Sequence, residues 1–253
     1  MKNFIKKILV IIFVGIFIFS SYNLYKIFNE YKKNKDSYKE INEIVIKENE
    51  EDKKDISAED NSNIVIGSKE YAELKAINGD YFLWIYIPGT NINYPVVKAR
   101  DNEEYLYKNF KGEENKGGCL FLDYRNESEK DDNVIIHGHN MKDQSMFGTL
   151  SKLLNSEYLK ENKKIYLYLE NKILEYEIFS VYVNSGDYNP YVTNFNSDEE
   201  YYEYINNEIR KSYFDLEYID NGKRDILTLS TCTKATGDER TIVNAKLISI
   251  KEI

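Results

Sequence analysis

The stretch DILTLSTC at residues 225–232, followed by RTIVNAKLISI at residues 240–250, decides the fold predicted for this chain. Both stretches combine apolar and β-branched residues, which is typical of strands. The loop between them is short, so the two strands are expected to be antiparallel neighbours. This pairing brings Cys232, at the end of one strand, close to Arg240, at the start of the next.

Short apolar runs bounded by turn residues predict six further strands, at residues 82–87, 91–97, 118–123, 133–137, 165–170 and 173–183. Helical patterns interrupt the strands at residues 71–77, 103–110, 146–154 and 198–213. Eight strands without strict alternation of strand and helix favour a mainly β fold, a largely antiparallel barrel or sandwich, over a doubly wound parallel sheet.

Residues 1–28 predict a membrane anchor. Residues 8–19 form an unbroken apolar run that extends, with few interruptions, to Leu24, the short end of a membrane span. The run ends in the bulky Phe17-Ile18-Phe19, followed by Ser20-Ser21-Tyr22-Asn23, which is a poor match to the small-x-small cleavage site of a signal peptide and favours a retained helix. Lysines flank both ends of the run, so their count does not decide its orientation. A long domain behind one N-terminal span is usually translocated, which places the body outside.

The rest of the chain divides into a charged segment and a globular body. Residues 29–63 are rich in Lys, Glu, Asp and Asn and predict a linker, either a solvated helix or a tether, that buries little surface. Residues 64–253 form the body. The net charge of −9 argues against a nucleic-acid partner, because nucleic acid binds a basic surface.

Two histidines, His137 and His139, flank Gly138 after the apolar run at residues 134–136, so both lie at a strand end or in the loop beyond it. Cys232 also ends a strand. A thiolate is a nucleophile, a histidine moves protons near neutral pH, and a guanidinium such as that of Arg240 can stabilise a developing oxyanion. Together these residue types predict acyl transfer.

Simpler interpretations of the same residues stay open at this point. A cysteine at a strand end is often a small buried side chain, and the two cysteines, Cys119 and Cys232, could form a disulfide that a domain of this size does not need. Two histidines so spaced could be metal ligands or surface residues. Arg240 could pair with a neighbouring carboxylate on the surface, which would contribute little.

Several motifs resemble the sortase family. The run TLSTCT at residues 228–233 resembles the TLxTC signature, and GHNM at residues 138–141 with MFG at residues 146–148 resembles a stretch of class B sortases. Further similarity to class B lies upstream, at Ile77-Asn78, Trp84-Ile85, Gly89-Thr90 with Ile92, Tyr94-Pro95-Val96-Val97 and Asp101-Asn102. The resemblance covers roughly residues 68–250.

The resemblance implies an eight-stranded β-barrel on the outer face of a Gram-positive cell membrane, held by a single-pass anchor. It implies a cysteine transpeptidase that cuts a surface protein's C-terminal sorting signal after threonine. A thioacyl enzyme would then pass the protein to an amine of a cell-wall precursor or a pilin. Cys232 would be the nucleophile, His139 the general acid and base, and Arg240 the oxyanion group.

The resemblance also implies roles for other parts of the chain. Ser230 and Thr231 would line the substrate groove, and the helix at residues 198–213 would be the extra helix of class B. His137 is interpreted as incidental and Cys119 as a core residue. No cofactor or metal is expected. The alternative is an extracellular surface module without catalysis, either binding metal through His137, His139 and a carboxylate, or adhesive.

Overall fold

The computed structural model describes residues 2–46, 64–185, 188–232 and 239–253, and for residues 2, 3 and 232 it describes the backbone. This part of the chain forms four α-helices: α1 (Lys2–Val45), α2 (Ser68–Ile77), α3 (Ser156–Glu161) and α4 (Asp198–Lys211). The strands are β1 (Tyr81–Tyr86), β2 (Asn93–Lys98), β3 (Leu120–Leu122), β4 (Asn133–Gly138), β5 (Lys164–Leu169), β6 (Lys172–Asn184), β7 (Ile226–Cys232) and β8 (Arg240–Glu252).

The eight strands close into a barrel in the order β1-β2-β3-β4-β7-β8-β6-β5, in which β5 also pairs with β1. The predicted mainly β fold and the eight-stranded barrel that the resemblance implied are both confirmed, and the sandwich alternative is wrong. Most neighbouring strands are antiparallel, but β2 with β3 and β4 with β7 are parallel. Long connections between these strands permit the parallel pairing. The alternative prediction of a doubly wound parallel sheet is therefore wrong.

Two of the predicted helices are much shorter than expected. Residues 103–110 form a 3₁₀ helix only at Glu104–Leu106, and residues 146–154 form one at Leu150–Leu154. In the second segment Met146 has a φ of +51°, a left-handed conformation that interrupts a helix, and it bridges to Asn140. Backbone pairing with the loop after β4 thus replaces the first helical turns.

Helix α4 begins where its sequence predicts. The Ser197 hydroxyl accepts a hydrogen bond from the Glu200 amide, which satisfies one of the free donors of the first turn. Acidic residues fill the first turn and basic residues the last, so both ends complement the helix dipole. The buried face of the helix, Tyr201, Tyr204, Ile205 and Glu208, covers the barrel.

Helix α1 has two halves with opposite surroundings. Its N-terminal half is exposed and apolar, and α1 is long and apolar enough to cross a membrane. In the second half Tyr38, Ile41 and Val45 are buried, with 4%, 1% and 0% of their surface exposed. The expectation that residues 29–63 bury little surface is wrong for this face, whose apolar residues recur at helical spacing. Residues 47–63 of the predicted linker lie outside the described residues.

Candidate active site

A cleft of about 240 Å³ opens at the end of the barrel where β4 finishes and β8 begins. Four of the predicted site residues line it: His139, Ser230, Thr231 and Arg240. The other lining residues are Asn102, Leu106, Phe121, His137, Gly138 and Tyr191. The fold therefore gathers groups from four strands and three connecting segments around one opening.

Strand register explains why these groups meet. Cys232 is the last residue of β7, and its backbone lies directly opposite Arg240 in the antiparallel pair with β8. Directly opposed residues of such a pair have Cα atoms about 4.5–5.5 Å apart. On the other side, β4 runs parallel to β7 with Gly138 opposite Thr231. His139 and Cys232 are the residues that directly follow this last pair in their two segments.

The His139 imidazole is oriented by a backbone carbonyl. Its Nε2 lies 2.8 Å from the Leu106 oxygen. A carbonyl oxygen accepts hydrogen bonds and donates none, so Nε2 carries the proton in this contact. In the neutral ring Nδ1 is then the basic nitrogen. The ring is half-buried, with the exposed Tyr107 ring centred 6.0 Å away.

Gly138 permits the close packing beneath this histidine. A Cβ atom at this position would lie 2.3 Å from the Leu120 side chain and 2.7 Å from the Phe147 ring. Any larger residue would therefore push the end of β4 away from the core. The Phe147 amide donates to the His139 carbonyl at 3.0 Å, which holds the start of the following loop.

Arg240 and Ser230 bring polar groups to the opposite wall of the cleft. Arg240 is half-buried, and its Nη1 donates to the Glu239 carbonyl at 3.2 Å. The Ser230 hydroxyl is 2.8 Å from the Tyr191 hydroxyl. Thr231 is buried, and its hydroxyl makes no hydrogen bond to any described residue. Arg240 and Ser230 thus lie at the cleft beside Thr231, whose hydroxyl has no hydrogen-bond partner among the described residues.

His137 is part of the cleft wall, and its interpretation as incidental to catalysis stays a prediction. Its ring packs between Phe121 and Tyr191, with centroids 5.5 and 5.2 Å away. Its Nε2 lies 3.0 Å from the Asp123 carboxylate, which also receives two hydrogen bonds from Arg125. Burial alone would raise the pKa of Asp123, but these hydrogen bonds outweigh burial and hold the pKa below its usual value.

Sequence reasoning missed three lining residues that lie outside the strands. Asn102 and Leu106 belong to the segment between β2 and β3, and Tyr191 belongs to the connection between β6 and α4. Asn102 donates to the buried Asp123 carboxylate at 3.0 Å. The similarity of Asp101-Asn102 to class B sortases is the sequence signal for this segment.

The geometry gives the metal-binding alternative no support. Among residues 2–46, 64–185, 188–232 and 239–253, no three His, Cys, Asp or Glu side chains converge as metal ligands. His137 Nε2 already contacts Asp123, and His139 Nε2 contacts a backbone carbonyl. Cys119 is a buried free thiol, which confirms its interpretation as a core residue.

Comparison with known proteins gives a consistent picture. The family model described as a sortase domain matches residues 85–248. Sortase B of Listeria monocytogenes is 32% identical over 251 residues, covering 98% of this chain and 98% of its own length.

Solved structures agree with the sequence comparison. Sortase B of Bacillus anthracis in complex with AAEK1 is 33% identical with a TM-score of 0.72, covering 88% of this chain and 99% of its own. The Staphylococcus aureus sortase B-substrate complex is 30% identical with a TM-score of 0.67, covering 73% of this chain and 87% of its own.

Proposed function

We propose a reaction for this chain from the premise that it belongs to the sortase family, class B. As a member, it is a cysteine transpeptidase that anchors or processes surface proteins. The finer proposal is that it cuts a C-terminal sorting signal after threonine, holds the protein as a thioester on Cys232, and transfers it to an amine of a cell-wall precursor or a pilin.

In the first half-reaction the Cys232 thiolate attacks the threonine carbonyl carbon. The carbonyl oxygen becomes negatively charged, and the Arg240 guanidinium, which keeps its proton at physiological pH, stabilises that charge. The carbon–nitrogen bond breaks when His139 donates a proton to the leaving amine, leaving a thioester. The Leu106 carbonyl holds Nε2–H, so Nδ1 is the nitrogen we assign to this proton transfer.

In the second half-reaction an amine attacks the thioester carbon. His139, now neutral, accepts the proton of the incoming amine, and the carbon–sulfur bond breaks to return the thiolate. One peptide bond is exchanged for another, so the cycle needs no oxidant or reductant. We assign Ser230 and Thr231 to the substrate-binding wall, together with Tyr191, because these residues line the cleft.

The reaction also requires Cys232 as a thiolate and His139 as an imidazolium at the same time. With reference pKa values of about 8.5 for cysteine and 6.5 for histidine, independent groups would form the thiolate–imidazolium pair in on the order of 1% of molecules near pH 7.5. An arginine opposite the cysteine favours the thiolate electrostatically. We therefore assign Arg240 a second role in supporting the nucleophile before substrate binds.

We also propose that α1 anchors the enzyme in the cell membrane, with the barrel on the outer face. The apolar N-terminal half of α1 supports the anchor. An outer location is consistent with substrates that are displayed on the surface. The net charge of −9 argues against a nucleic-acid partner.

The observation that carries the proposal is the strand register, which sets Cys232 opposite Arg240 while β4 delivers His139 to the same cleft. The test uses the full chain in detergent with quenched fluorescent peptides that contain one fixed threonine, and with hydroxylamine as a small amine acceptor. We expect cleavage after threonine, a threonine hydroxamate, and an acyl adduct on Cys232 by mass spectrometry.

Replacing the nucleophile gives the largest expected effect. Cys232→Ala should lower cleavage by about 10³-fold or more, because the covalent route is removed. Cys119→Ala is the matched control and should retain activity, because burial raises the pKa of the Cys119 thiol to about 12 and keeps it unreactive. Cleavage that persists in Cys232→Ala would refute the proposal.

A further inference from the structure

We propose that the docked half of α1 is a positioning element for the active site, in which Tyr38 supports the segment whose carbonyl orients His139. This inference rests on the proposed function, because it gives His139 a role in proton transfer. It concerns residues that lie outside the cleft and belong to the same helix as the apolar N-terminal half.

The first step is that α1 is held against one particular segment of the barrel. Three of its charged residues form ion pairs with residues 111–116: Glu30 with Lys116 at 2.9 Å, Lys33 with Glu113 at 3.4 Å, and Glu40 with Lys111 at 2.5 Å. Each exposed pair contributes little stability. Together they fix the position of the helix along the segment that leads into β3.

The second step is a buried hydrogen bond at the centre of this contact. The Tyr38 hydroxyl donates to the Gly118 carbonyl at 3.1 Å, and the Tyr38 ring packs edge-on against Tyr94 at 5.2 Å. Burial raises the pKa of Tyr38 well above its usual value, so the hydroxyl remains a donor. Loss of this bond would leave the Gly118 carbonyl under the helix without that donor.

The third step connects Gly118 to the 3₁₀ helix at residues 104–106. Gly118 has a φ of +62°, and a Cβ there would lie 2.5 Å from the Tyr105 oxygen and 2.6 Å from the Leu106 oxygen. The Cys119 amide donates to the Tyr105 carbonyl at 3.0 Å. The backbone at residues 118–119 therefore holds the Tyr105 carbonyl by a hydrogen bond and packs closely against the Leu106 carbonyl.

The last step is the contact between Leu106 and His139. The Leu106 oxygen is the acceptor for His139 Nε2 at 2.8 Å, and this bond decides which ring nitrogen is free. A displacement of the 3₁₀ helix would loosen the imidazole. Catalysis is sensitive to such displacements, since misplacement of a catalytic group by about 1 Å can cost up to 10²-fold in rate.

The decisive variant is Tyr38→Phe in the full chain, in phospholipid nanodiscs. It removes the hydroxyl and keeps the ring. We expect kcat to fall by roughly three- to tenfold with KM unchanged, and the pH profile of kcat to shift, because proton transfer is affected while the substrate wall is intact. Tyr25→Phe is the matched control, since Tyr25 is exposed on the same helix. Wild-type kcat and pH profile in Tyr38→Phe would overturn the inference.

A second measurement reports docking directly. In a Cys232→Ala background, Cys119 is the one thiol of the chain, and it lies buried beneath α1. We expect N-ethylmaleimide to modify it slowly in both the parent and Tyr38→Phe, and faster in Tyr38→Ala. Modification in the parent as fast as in unfolded protein would show that α1 is not docked and would overturn the inference.

A third measurement separates this inference from the proposed function. Nitrogen-15 NMR of labelled histidine can be assigned with His137→Gln, because the chain has two histidines. We expect the Nε2–H form of His139 in the wild type and a changed signal in Tyr38→Phe. A wild type that cleaves no peptide would refute the proposed function, while an unchanged His139 signal would refute the positioning by Tyr38.

Discussion

Asp123 and Glu208 are both buried carboxyl groups, but their surroundings shift their pKa values in opposite directions. Asp123 lies behind the cleft wall and is 1% exposed, and Glu208 lies under α4 and is 0% exposed. The pKa of Asp123 is lowered, whereas burial raises the pKa of Glu208. Low solvent exposure alone therefore does not predict the direction in which the pKa of a carboxylate shifts.

The difference comes from the partners. Asp123 receives two hydrogen bonds from the Arg125 guanidinium, at 2.7 and 2.9 Å, and contacts His137. Glu208 receives its hydrogen bonds from neutral groups, the Tyr182 hydroxyl at 2.7 Å and the Asn244 amide at 2.6 Å. A guanidinium hydrogen-bonded to the carboxylate offsets the cost of burying a negative charge, whereas the neutral donors of Glu208, with the Lys211 charge nearby, do so only in part.

The two sites also serve different parts of the fold. Asp123 joins the segments that carry Asn102 and His137, so it shapes the cleft. Glu208 joins α4 to β6 and β8 through a polar network that continues from Asn244 to Thr228 on β7. At the open end of the barrel the buried carboxylate is paired with the Arg125 guanidinium, while on the side covered by α4 the buried carboxyl group is hydrogen-bonded by neutral donors.

Among the variants that test this comparison, Asp123→Asn is expected to change the free energy of unfolding the most. The amide would direct a donor at Arg125 and remove the compensating charge, so we expect a loss of about 2 kcal/mol in the free energy of unfolding at pH 7. Chemical denaturation in detergent, followed by fluorescence of the single Trp84, measures this loss. Asp215→Asn, at an exposed position, is the control and should change stability little.

The pH dependence of the free energy of unfolding of Asp123→Asn tests whether the charge of Asp123 is the cause of the loss. Because the folded-state pKa of Asp123 is below the unfolded value of about 3.9, its contribution is present above that pH and is lost as the pH falls through the folded value. The gap between wild type and Asp123→Asn should therefore narrow from pH 7 towards pH 3. A gap that stays constant would contradict the proposed charge effect.

Glu208→Gln should have a smaller effect of opposite sign. The folded-state pKa of Glu208 is raised, so the stability it contributes is present below the unfolded value of about 4.3 and is lost as the pH rises through the folded value. Gln keeps an acceptor oxygen for Tyr182 and Asn244. We expect the free energy of unfolding of Glu208→Gln to rise relative to that of the wild type between pH 4 and pH 7, by on the order of 1 kcal/mol. Thermal unfolding scans at each pH measure this difference. Glu217→Gln, at an exposed site, should show no such trend.

Arg125→Lys should give the smallest effect. Lysine keeps the positive charge but cannot make the paired contacts of a guanidinium, so we expect a loss of about 0.5–1 kcal/mol. Measured beside Asp123→Asn, this variant separates charge from geometry. A loss as large as that of Asp123→Asn would mean that the paired geometry, more than the charge, stabilises the carboxylate.

Much of the site was predictable because its causes are local. Strand periodicity located β7 and β8 and therefore the adjacency of Cys232 and Arg240, and the apolar run before His137 placed both histidines at the end of β4. The position of His137 in the cleft was not predictable, because its partner Asp123 lies on another segment and its covering ring, Tyr191, belongs to a long connection.

The sequence by itself determined the mainly β fold, the eight strands, helix α4, the apolar N-terminal half of α1 and the family resemblance, because alternation, capping and motifs act over a few residues. Only the tertiary structure decided the order of strands around the barrel, the parallel pairs, the docking of the charged half of α1 and the opposite pKa shifts of Asp123 and Glu208. Each of these depends on contacts between residues far apart in the chain, and neither burial nor hydrogen-bond partners can be deduced from one segment alone.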